Sequence, residues 1–340
     1  MPISCDCAPL SRVGKLLLMM LLAILAGCDG DNADRSPQSL IFADLSQAMG
    51  GILYVAQARG YLDEENLTIE TIELTSGRDA MNKMVSGEAE VGIAVDFAIL
   101  KSLQKGNDLR LISTVFRTNA YSGIVARTDR GVKSVRNLKG KRVGITFGTA
   151  KDYMLSFMLS QAGLSDDDVE RVPVAPTDMA DALEKGDVDA VATWSPHLSN
   201  AQARFGETET ILLRTSAYLD QAVLLATEKT VREKSDALHR LVRAIARAED
   251  YIYQNPSEAL QIVVERLALS PAARTALNQA WPHYQFQARL DNLLMTSLRN
   301  QYAWLNRNSG GPEEELNLDD YVYVAPLAAI RALSVTIDQR

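Results

Sequence analysis

The sequence predicts an α/β protein made of two similar lobes, and three observations point to this fold class. Short apolar runs alternate with amphipathic helical spacing between residues 40 and 194. This strand–helix order occurs twice, and purely helical spacing replaces it after residue 228. Alternating strands and helices predict parallel units, and two copies of them predict two lobes. Any α/β protein repeats this order, so the order alone does not establish two lobes. The similar offsets between corresponding positions of the two copies, about one hundred residues, favour two lobes.

The first copy contains three strands and two helices. Its predicted elements, in chain order, are a strand at 40–43, a helix from 52, a strand at 67–74, a helix at 78–86 and a strand at 91–95. The strands are continuously apolar or alternating, whereas the helices carry apolar residues three and four apart. Gly60 and Gly87 each follow a helix at the position where a left-handed residue commonly ends it.

The second copy repeats this order. Its predicted elements are a strand at 141–145, a helix at 150–162, a strand at 169–174, a helix at 178–185 and a strand at 190–193. Its helices close at Gly163 and Gly186, which follow the closing glycines of the first copy by 103 and 99 residues. Glycine, two acidic residues two apart and a strand then recur in the same order, as expected for two similar lobes.

Beyond residue 228 the spacing is helical. Apolar residues over 238–252 mark one face of a long helix that ends near Asn255. Ser270 and Pro271 predict the start of another helix, with serine as N-cap and proline at the first helical position. Leucines over 290–298 predict a third helix. We expect this all-helical tail to pack on the first lobe.

The chain is therefore expected to cross between lobes near 116–122 and again near 216–224. Lobe 1 would then contain residues 38–117 and 222–340, and lobe 2 would contain residues 118–221.

Composition excludes several classes of protein. The 340 residues are 47% hydrophobic, enough to bury substantial cores, and the three cysteines are too few to form a disulfide scaffold. The 43 acidic residues exceed the 35 basic ones, so the chain provides no net positive field for binding nucleic acid.

The N-terminus has the parts of a secretory signal. Two basic residues, Arg12 and Lys15, precede an apolar run over 16–25 that is too short to span a bilayer. Residues 25–28 (Leu-Ala-Gly-Cys) resemble the lipobox of bacterial lipoproteins, in which the cysteine becomes the lipidated N-terminus. This resemblance implies lipidation at Cys28, whereas a buried helix or an ordinary signal anchor is the alternative.

Cleavage before Cys28 would remove residues 1–27, including Cys5 and Cys7, and leave a mature chain without a disulfide. Residues 28–37 then read as a lipidated N-terminus and a flexible tether, because they are polar and rich in turn formers. In the lipoproteins that the sequence resembles, Asp29 directly after the cysteine is associated with retention at the inner membrane.

The loops that leave the strands are the candidate ligand site, because ligands of open α/β sheets bind beyond the carboxyl ends of the strands. The loops at 44–51, 75–78 and 96–97 would form one wall of a cleft, and those at 146–152 and 194–197 the other. The candidate ligand-binding residues are Ser46, Gln47, Gly77, Arg78, Asp96, Phe97, Tyr121, Phe147, Gly148, Thr149, Ala150 and Trp194.

The turn at 146–151 is the sharpest candidate. Backbone N–H groups at the start of the following helix suit a carboxylate, sulfonate or nitrate, and Thr149 offers a hydroxyl. Alternatively, Gly148 and Thr149 form only a turn and an N-cap. The indole of Trp194 provides a flat wall and one N–H, or else belongs to the core.

Three other candidates have two interpretations each. Asp96 binds a ligand amine or caps the following helix, Arg78 has a charge partner or is simply exposed, and Phe97 lines an aromatic enclosure or only packs.

The sequence predicts no catalytic residues, metal site or cofactor. Of the three histidines, only His197 lies on a candidate cleft loop, whereas His239 and His283 do not. No metal-binding or nucleophile motif occurs, and no cysteine follows Cys28.

Residues 137–145, 148–150, 162–164, 182–190 and 194–196 resemble the nitrate/sulfonate/taurine group of ABC-transporter solute-binding proteins. The resemblance implies a type II periplasmic-binding-protein-like fold, in which each lobe is a mixed sheet flanked by helices and a helical C-terminal extension sits on lobe 1. It also implies a monomer on the periplasmic side of the inner membrane that delivers a small solute to a permease and its ATPase. The cleft contains two departures from the group, Ser195 in place of a common glutamate and a loop at 45–51 without proline or aromatic residues.

The expected function is capture of a small anionic or zwitterionic solute, with sulfonates, taurine and nitrate as the model ligands. Two alternatives remain open at this point. One is a ligand-sensing lipoprotein that reports to a membrane kinase, and the other is a pyrimidine-precursor or menaquinone-pathway enzyme of the same fold.

Overall fold

A computed structural model describes residues 36–74, 77–206, 208–309 and 316–337. The predicted signal segment, the lipidation site Cys28 and most of the tether lie outside the described residues, as do Thr75, Ser76 and the side chain of Arg78. Within the described ranges, no helix combines the length and the apolar character needed to cross a membrane.

The strands of the described chain form two sheets. In chain order they are β1 (Gln38–Asp44), β2 (Leu67–Glu73), β3 (Val91–Val95), β4 (Leu109–Thr118), β5 (Ser122–Arg127), β6 (Arg142–Ile145), β7 (Glu170–Pro173), β8 (Ala190–Trp194), β9 (Thr210–Leu213), β10 (Asp220–Thr227), β11 (Gln285–Asp291) and β12 (Val335–Thr336).

Helices cover the faces of both sheets. In chain order they are α1 (Gly51–Ala58), α2 (Tyr61–Glu64), α3 (Gly77–Val85), α4 (Asp96–Leu103), α5 (Ala150–Gln161), α6 (Met179–Lys185), α7 (His197–Ala203), α8 (Glu228–Glu233), α9 (Ser235–Gln254), α10 (Pro256–Arg266), α11 (Pro271–Ala280), α12 (Asn292–Ser309) and α13 (Ala325–Arg331).

The larger sheet has seven strands in the order β12-β11-β4-β10-β3-β1-β2. Strand β1 is parallel to β2 and β3, whereas β10 is antiparallel to both β3 and β4. The smaller sheet has the order β7-β6-β8-β5-β9, with β6 parallel to β7 and β8 and with β5 antiparallel to β8 and β9. Two mixed sheets flanked by helices confirm the predicted fold class.

The chain passes between the sheets twice. The first crossing, residues 119–121, connects β4 of the larger sheet to β5 of the smaller one. The second crossing, residues 214–219, connects β9 of the smaller sheet to β10 of the larger one. The lobe boundaries at 117/118 and 221/222 stay a prediction.

The hydrophobic cores follow from the predicted periodicities. On β8, Ala190 and Ala192 face one core of the smaller sheet, whereas Val191 between them faces the other. On the long helix α9, apolar residues three and four apart, including Leu238 and Leu241, are buried against the larger sheet. The predicted closing glycines of both copies have φ values between +72° and +77°, as the helix ends require.

The prediction of an all-helical tail was wrong. Leu290 belongs to β11, which pairs antiparallel with β4, and the predicted third helix begins only at Asn292. Phe286, Ala288 and Leu290 alternate with period two, and they bury one face of β11 in the hydrophobic core. Helix α10 fills the interval in which no element was predicted, and Ser270 caps α11 as expected, by accepting from Ala273 N.

Candidate ligand-binding site

The loop after β1 is fixed by a buried carboxylate at the end of the strand. Asp44 Oδ1 accepts hydrogen bonds from Ser46 N (3.0 Å) and Tyr54 Oη (2.7 Å). Burial and the charge of Asp44 raise the pKa of Tyr54 well above its usual range, so this hydroxyl keeps its proton. Arg266 from α10 bridges Asp44 Oδ2 (3.3 Å) and Glu73 Oε1 (2.8 Å), which joins the ends of β1 and β2.

One predicted site residue on this loop, Gln47, contacts the first crossing. Tyr121 Oη, in the first crossing, donates to Gln47 Oε1 at 3.0 Å. Ser46 has a φ of +48°, and its buried Oγ has no hydrogen-bond partner among the described residues. The structure therefore brings Gln47 and Tyr121 into direct contact, with Ser46 one residue away along the chain.

Asp96 is the first residue of α4 at the end of β3, and only 2% of its surface is exposed. Oδ1 accepts from Phe97 N (2.8 Å), and Oδ2 accepts from Gln301 Nε2 of α12 (2.5 Å). Burial raises the pKa of Asp96 to about 6, against the opposing effects of the Gln301 hydrogen bond and the positive charge of Lys151. Both oxygens are thus held by protein donors.

Thr149, in the turn after β6, is the N-cap of α5. Thr149 Oγ1 donates to Thr146 O (2.8 Å) and accepts from Lys151 N (3.3 Å). Gly148, at φ +69°, donates its N–H to Asp152 Oδ2 (2.9 Å). The Thr149 hydroxyl and the Gly148 N–H are therefore engaged within the turn.

The charge of Asp152 at this helix start is balanced by Arg171 of β7. Arg171 Nη1 donates to Asp152 Oδ1 (2.8 Å), and Nη2 contacts Ser156 Oγ (2.6 Å) and Asp166 Oδ1 (2.6 Å). Burial raises the pKa of Asp152, while the Gly148 N–H and Arg171 oppose the shift. This network fixes the first turn of α5, at the edge of the candidate cleft.

The buried ion pair of Lys151 with Asp220 was not predicted from the sequence. Lys151 lies on the first turn of α5 and contacts Asp220 Oδ1 at the start of β10, with only 7% of each side chain exposed. Ser122 Oγ also donates to Asp220 Oδ1 (2.9 Å), and Tyr218 lies beside the ammonium group. The pair links a helix of the smaller sheet to a strand of the larger one. A lysine on the first helical turn, where the helix dipole disfavours a cation, is the one signal the sequence offered.

A second contact joins the two sheets at the predicted turn. Lys101 Nζ, near the end of α4, donates to Gly148 O at 3.1 Å. Helix α4, which follows β3 directly, therefore meets the turn after β6 across the space between the sheets.

The remaining predicted residues lie in different surroundings. Phe97 is 1% exposed and packs on Trp304, so it belongs to the core, whereas Phe147 is 51% exposed. Trp194 is half-buried, and its ring meets His197 edge to face, with ring centroids 5.5 Å apart. Burial lowers the pKa of His197. Ala150 is buried at the start of α5 and Gly77 is half-buried at the start of α3.

A surface depression of about 400 Å³ lies elsewhere, and its lining includes Arg127, Lys133, Glu184 and Phe205. Arg127 ends β5, whereas Ser122 at the other end of that strand contacts Asp220. The depression is therefore separate from the space between the sheets. In the part of the chain that the structure describes, no group of three or more His, Cys, Asp or Glu side chains is arranged to hold a metal ion.

The fold is that of the two-lobed periplasmic binding proteins. The structure superposes on the periplasmic aliphatic sulphonate binding protein SsuA of Escherichia coli with a TM-score of 0.71 and 18% identity, covering 85% of this chain and 98% of that one. Residues 49–259 match the family described as NMT1/THI5 like, and the chain belongs to this family.

Relatives in this family include binding proteins and enzymes. A putative thiamine biosynthesis protein of Haemophilus influenzae is 28% identical over 79% of this chain and 86% of its own. A putative aliphatic sulfonates-binding protein of Bacillus subtilis is 23% identical over 74% of this chain and 77% of its own. A 4-amino-5-hydroxymethyl-2-methylpyrimidine phosphate synthase of Aspergillus parasiticus is 22% identical over 67% of this chain and 69% of its own.

Proposed function

We propose that this chain is the solute-binding component of an ABC importer and holds a small organic anion or zwitterion between its two sheets. One observation carries the proposal. The loop after β1 contacts the first crossing through Gln47 and Tyr121, and helix α4 contacts the turn after β6 through Lys101 and Gly148. Within the described residues, the backbone joins the sheets only at the two short crossings. This arrangement suits closure of two lobes around a solute.

The mechanism is a shift between open and closed lobes. A solute that touches both lobes binds the closed form more tightly, and it shifts the population by that difference in affinity. Rotation about residues 119–121 and 214–219 would separate Lys101 from Gly148, and Tyr121 is placed at the first crossing to follow that movement.

The charges between the sheets support a charged solute. Lys101 and Lys151 supply ammonium groups, and Asp96 and Asp220 supply carboxyl groups. The positive end of the α5 dipole at Ala150 favours the acidic group of a solute. The names of the Bacillus and Escherichia relatives support a sulfonate as that acidic group.

The proposal also places the chain on the outer face of the inner membrane, tethered by lipid on Cys28. The lipobox-like sequence that ends at this cysteine supports the lipid anchor. The proposal further states that the chain is a monomer and delivers its solute to a permease and its ATPase.

Calorimetric titration of the full chain in detergent tests the solute class. The titrants are taurine, ethanesulfonate, isethionate, nitrate and a neutral pyrimidine. We expect one solute per chain and binding of at least one sulfonate; binding of neutral solutes alone contradicts the anion proposal. Gln47→Leu is expected to weaken binding because it removes the acceptor of Tyr121 Oη, whereas Gln261→Leu on the exposed face of α10 is the matched control and leaves the affinity unchanged.

An enzymatic function has less support than solute binding. The relatives include a synthase, and the desulfurization enzyme DszB shares the fold, with a TM-score of 0.64 and 18% identity over 86% of this chain and 98% of its own. Here every cysteine of the sequence precedes residue 29, and among the described contacts His197 packs on the predicted cleft residue Trp194. A titrated solute recovered unchanged by mass spectrometry is the result we expect.

A further inference from the structure

Helix α12, late in the chain, contacts helices that flank both sheets. Trp304 packs on Phe97 of α4, with ring centroids 6.0 Å apart, and on Tyr153 of α5, with ring centroids 5.8 Å apart. Gln301, one turn earlier, donates to the Asp96 carboxylate at the end of β3. Helix α12 therefore packs on α4 of the larger sheet and α5 of the smaller one, and the tail packs on more than the first lobe.

Two buried polar atoms on this helix have no hydrogen-bond partner among the described residues. They are Gln301 Oε1 and Trp304 Nε1, and the two residues are 0% and 8% exposed. Residues three apart on a helix share one face. Buried polar groups of proteins are hydrogen-bonded in the great majority of cases, so an acceptor and a donor without partners on one face indicate a common partner.

The orientation of the Gln301 amide is set by its surroundings. Gln301 Nε2 donates to Asp96 Oδ2 (2.5 Å) and to Ser297 Oγ (3.0 Å). A carboxylate accepts and does not donate, so rotating the amide would set two acceptors against each other. Gln301 Oε1 therefore points away from Asp96.

The local charge decides which chemical group fits. Asp96 and Asp220 are both buried near Lys151, and Asp220 Oδ2 has no partner among the described residues. Two carboxyl groups beside one ammonium disfavour an anionic group at this point. A neutral group that both donates and accepts satisfies Gln301 Oε1 and Trp304 Nε1 together.

We propose that Gln301 and Trp304 form a subsite for a hydroxyl or primary amide of the solute, which donates to Gln301 Oε1 and accepts from Trp304 Nε1. Helix α12 thereby takes part in solute selection. This inference rests on the proposed function, because the solute's acidic group is taken to bind elsewhere in the same space.

Trp304→Phe tests the subsite, since it removes the N–H while keeping a ring between Phe97 and Tyr153. The probes are isethionate, which carries a hydroxyl, and ethanesulfonate, which lacks it. The wild type is expected to prefer isethionate, and Trp304→Phe to weaken isethionate about fivefold, the loss expected for one net hydrogen bond. The affinity for ethanesulfonate stays the same. Trp281→Phe, equally buried but packed on Phe286, is the control and leaves both affinities unchanged.

A structural role for Trp304 predicts a different result. The indole N–H makes no hydrogen bond to the described residues, so the thermal midpoint without solute should not fall by more than in the Trp281→Phe control. If wild type and Trp304→Phe have the same ratio of affinities for isethionate and ethanesulfonate, the subsite proposal is overturned, whereas the proposal of solute binding stands. A wild type that binds no solute of the panel overturns both proposals. If Trp304→Phe does not fold, indole ¹⁵N–¹H spectra of the wild type replace it, and a Trp304 signal that isethionate and ethanesulfonate shift alike overturns the subsite.

Discussion

Replacing Asp96 with asparagine is expected to stabilise the protein at neutral pH. The carboxyl group is 2% exposed, and its pKa is raised to about 6, chiefly by burial. Each unit between this value and the ordinary value of 3.8 corresponds to 1.36 kcal/mol, so the charged form costs about 3 kcal/mol of native-state stability. Asparagine carries no charge to desolvate, and a rotated Gln301 amide can accept from its Nδ2.

The pH dependence gives the sharper test. Between about pH 4 and pH 6 native Asp96 keeps a proton that the unfolded chain has lost, so the wild-type stability contributed by this group falls as the pH rises through that window. Lys151 and Asp220 face the same carboxyl group and remain in both proteins, so the comparison of the two proteins isolates Asp96.

Urea unfolding followed by circular dichroism from pH 4.5 to 8 measures the difference between Asp96→Asn and wild type. We expect the advantage of Asp96→Asn to grow over the window to about 3 kcal/mol and then to stay constant. Asp167→Asn, at an exposed position, is the matched control. Curves for wild type and Asp96→Asn that run parallel from pH 4.5 to 7 would refute the reasoning.

Three further predictions concern the ion pair, the turn and the lipid anchor. Lys151→Met should lower the free energy of unfolding by about 3–5 kcal/mol, because it leaves Asp220 buried without its cation. The double variant Lys151→Met with Asp220→Leu should recover most of this loss. A loss below about 1 kcal/mol for Lys151→Met in urea unfolding contradicts the prediction. Gly148→Ala should lose about 1–2 kcal/mol because φ is +69° and the new Cβ lies 3.1 Å from Lys101 Nζ; an unchanged thermal midpoint would be evidence against a fixed turn. Cys28→Ser should move the protein from the membrane to the soluble fraction and abolish labelling by radioactive palmitate, whereas continued membrane retention argues against the lipid anchor.

The repeated strand–helix units were predictable because local periodicity decides them. The tail was not, since Leu290 fits two patterns. It stands four residues before Leu294, as in a helix, and two residues after Ala288, as in a strand. Pairing of β11 with the distant strand β4 settles the conflict, and a single sequence does not contain that contact.

The candidate site was predictable only where a loop directly follows a strand. Gln47 was selected on that ground, and in the structure it meets Tyr121, which lies at the predicted crossing between the lobes. Lys151 and Asp220 are 69 residues apart, and Asp96 and Gln301 are 205 apart, so only the fold brings them together. Asp220 begins a strand and Gln301 lies within a late helix, where the rule about strand ends does not apply.

Native mass spectrometry of the full chain, purified from its membrane fraction without added ligand, tests the central claim most directly. Solute capture between the sheets predicts one non-covalently bound small organic molecule per chain that carries an acidic group and leaves on denaturation. It also predicts that Gln47→Leu reduces the bound fraction while Gln261→Leu does not. A bound molecule without an acidic group, or equal occupancy in wild type and Gln47→Leu, would contradict it.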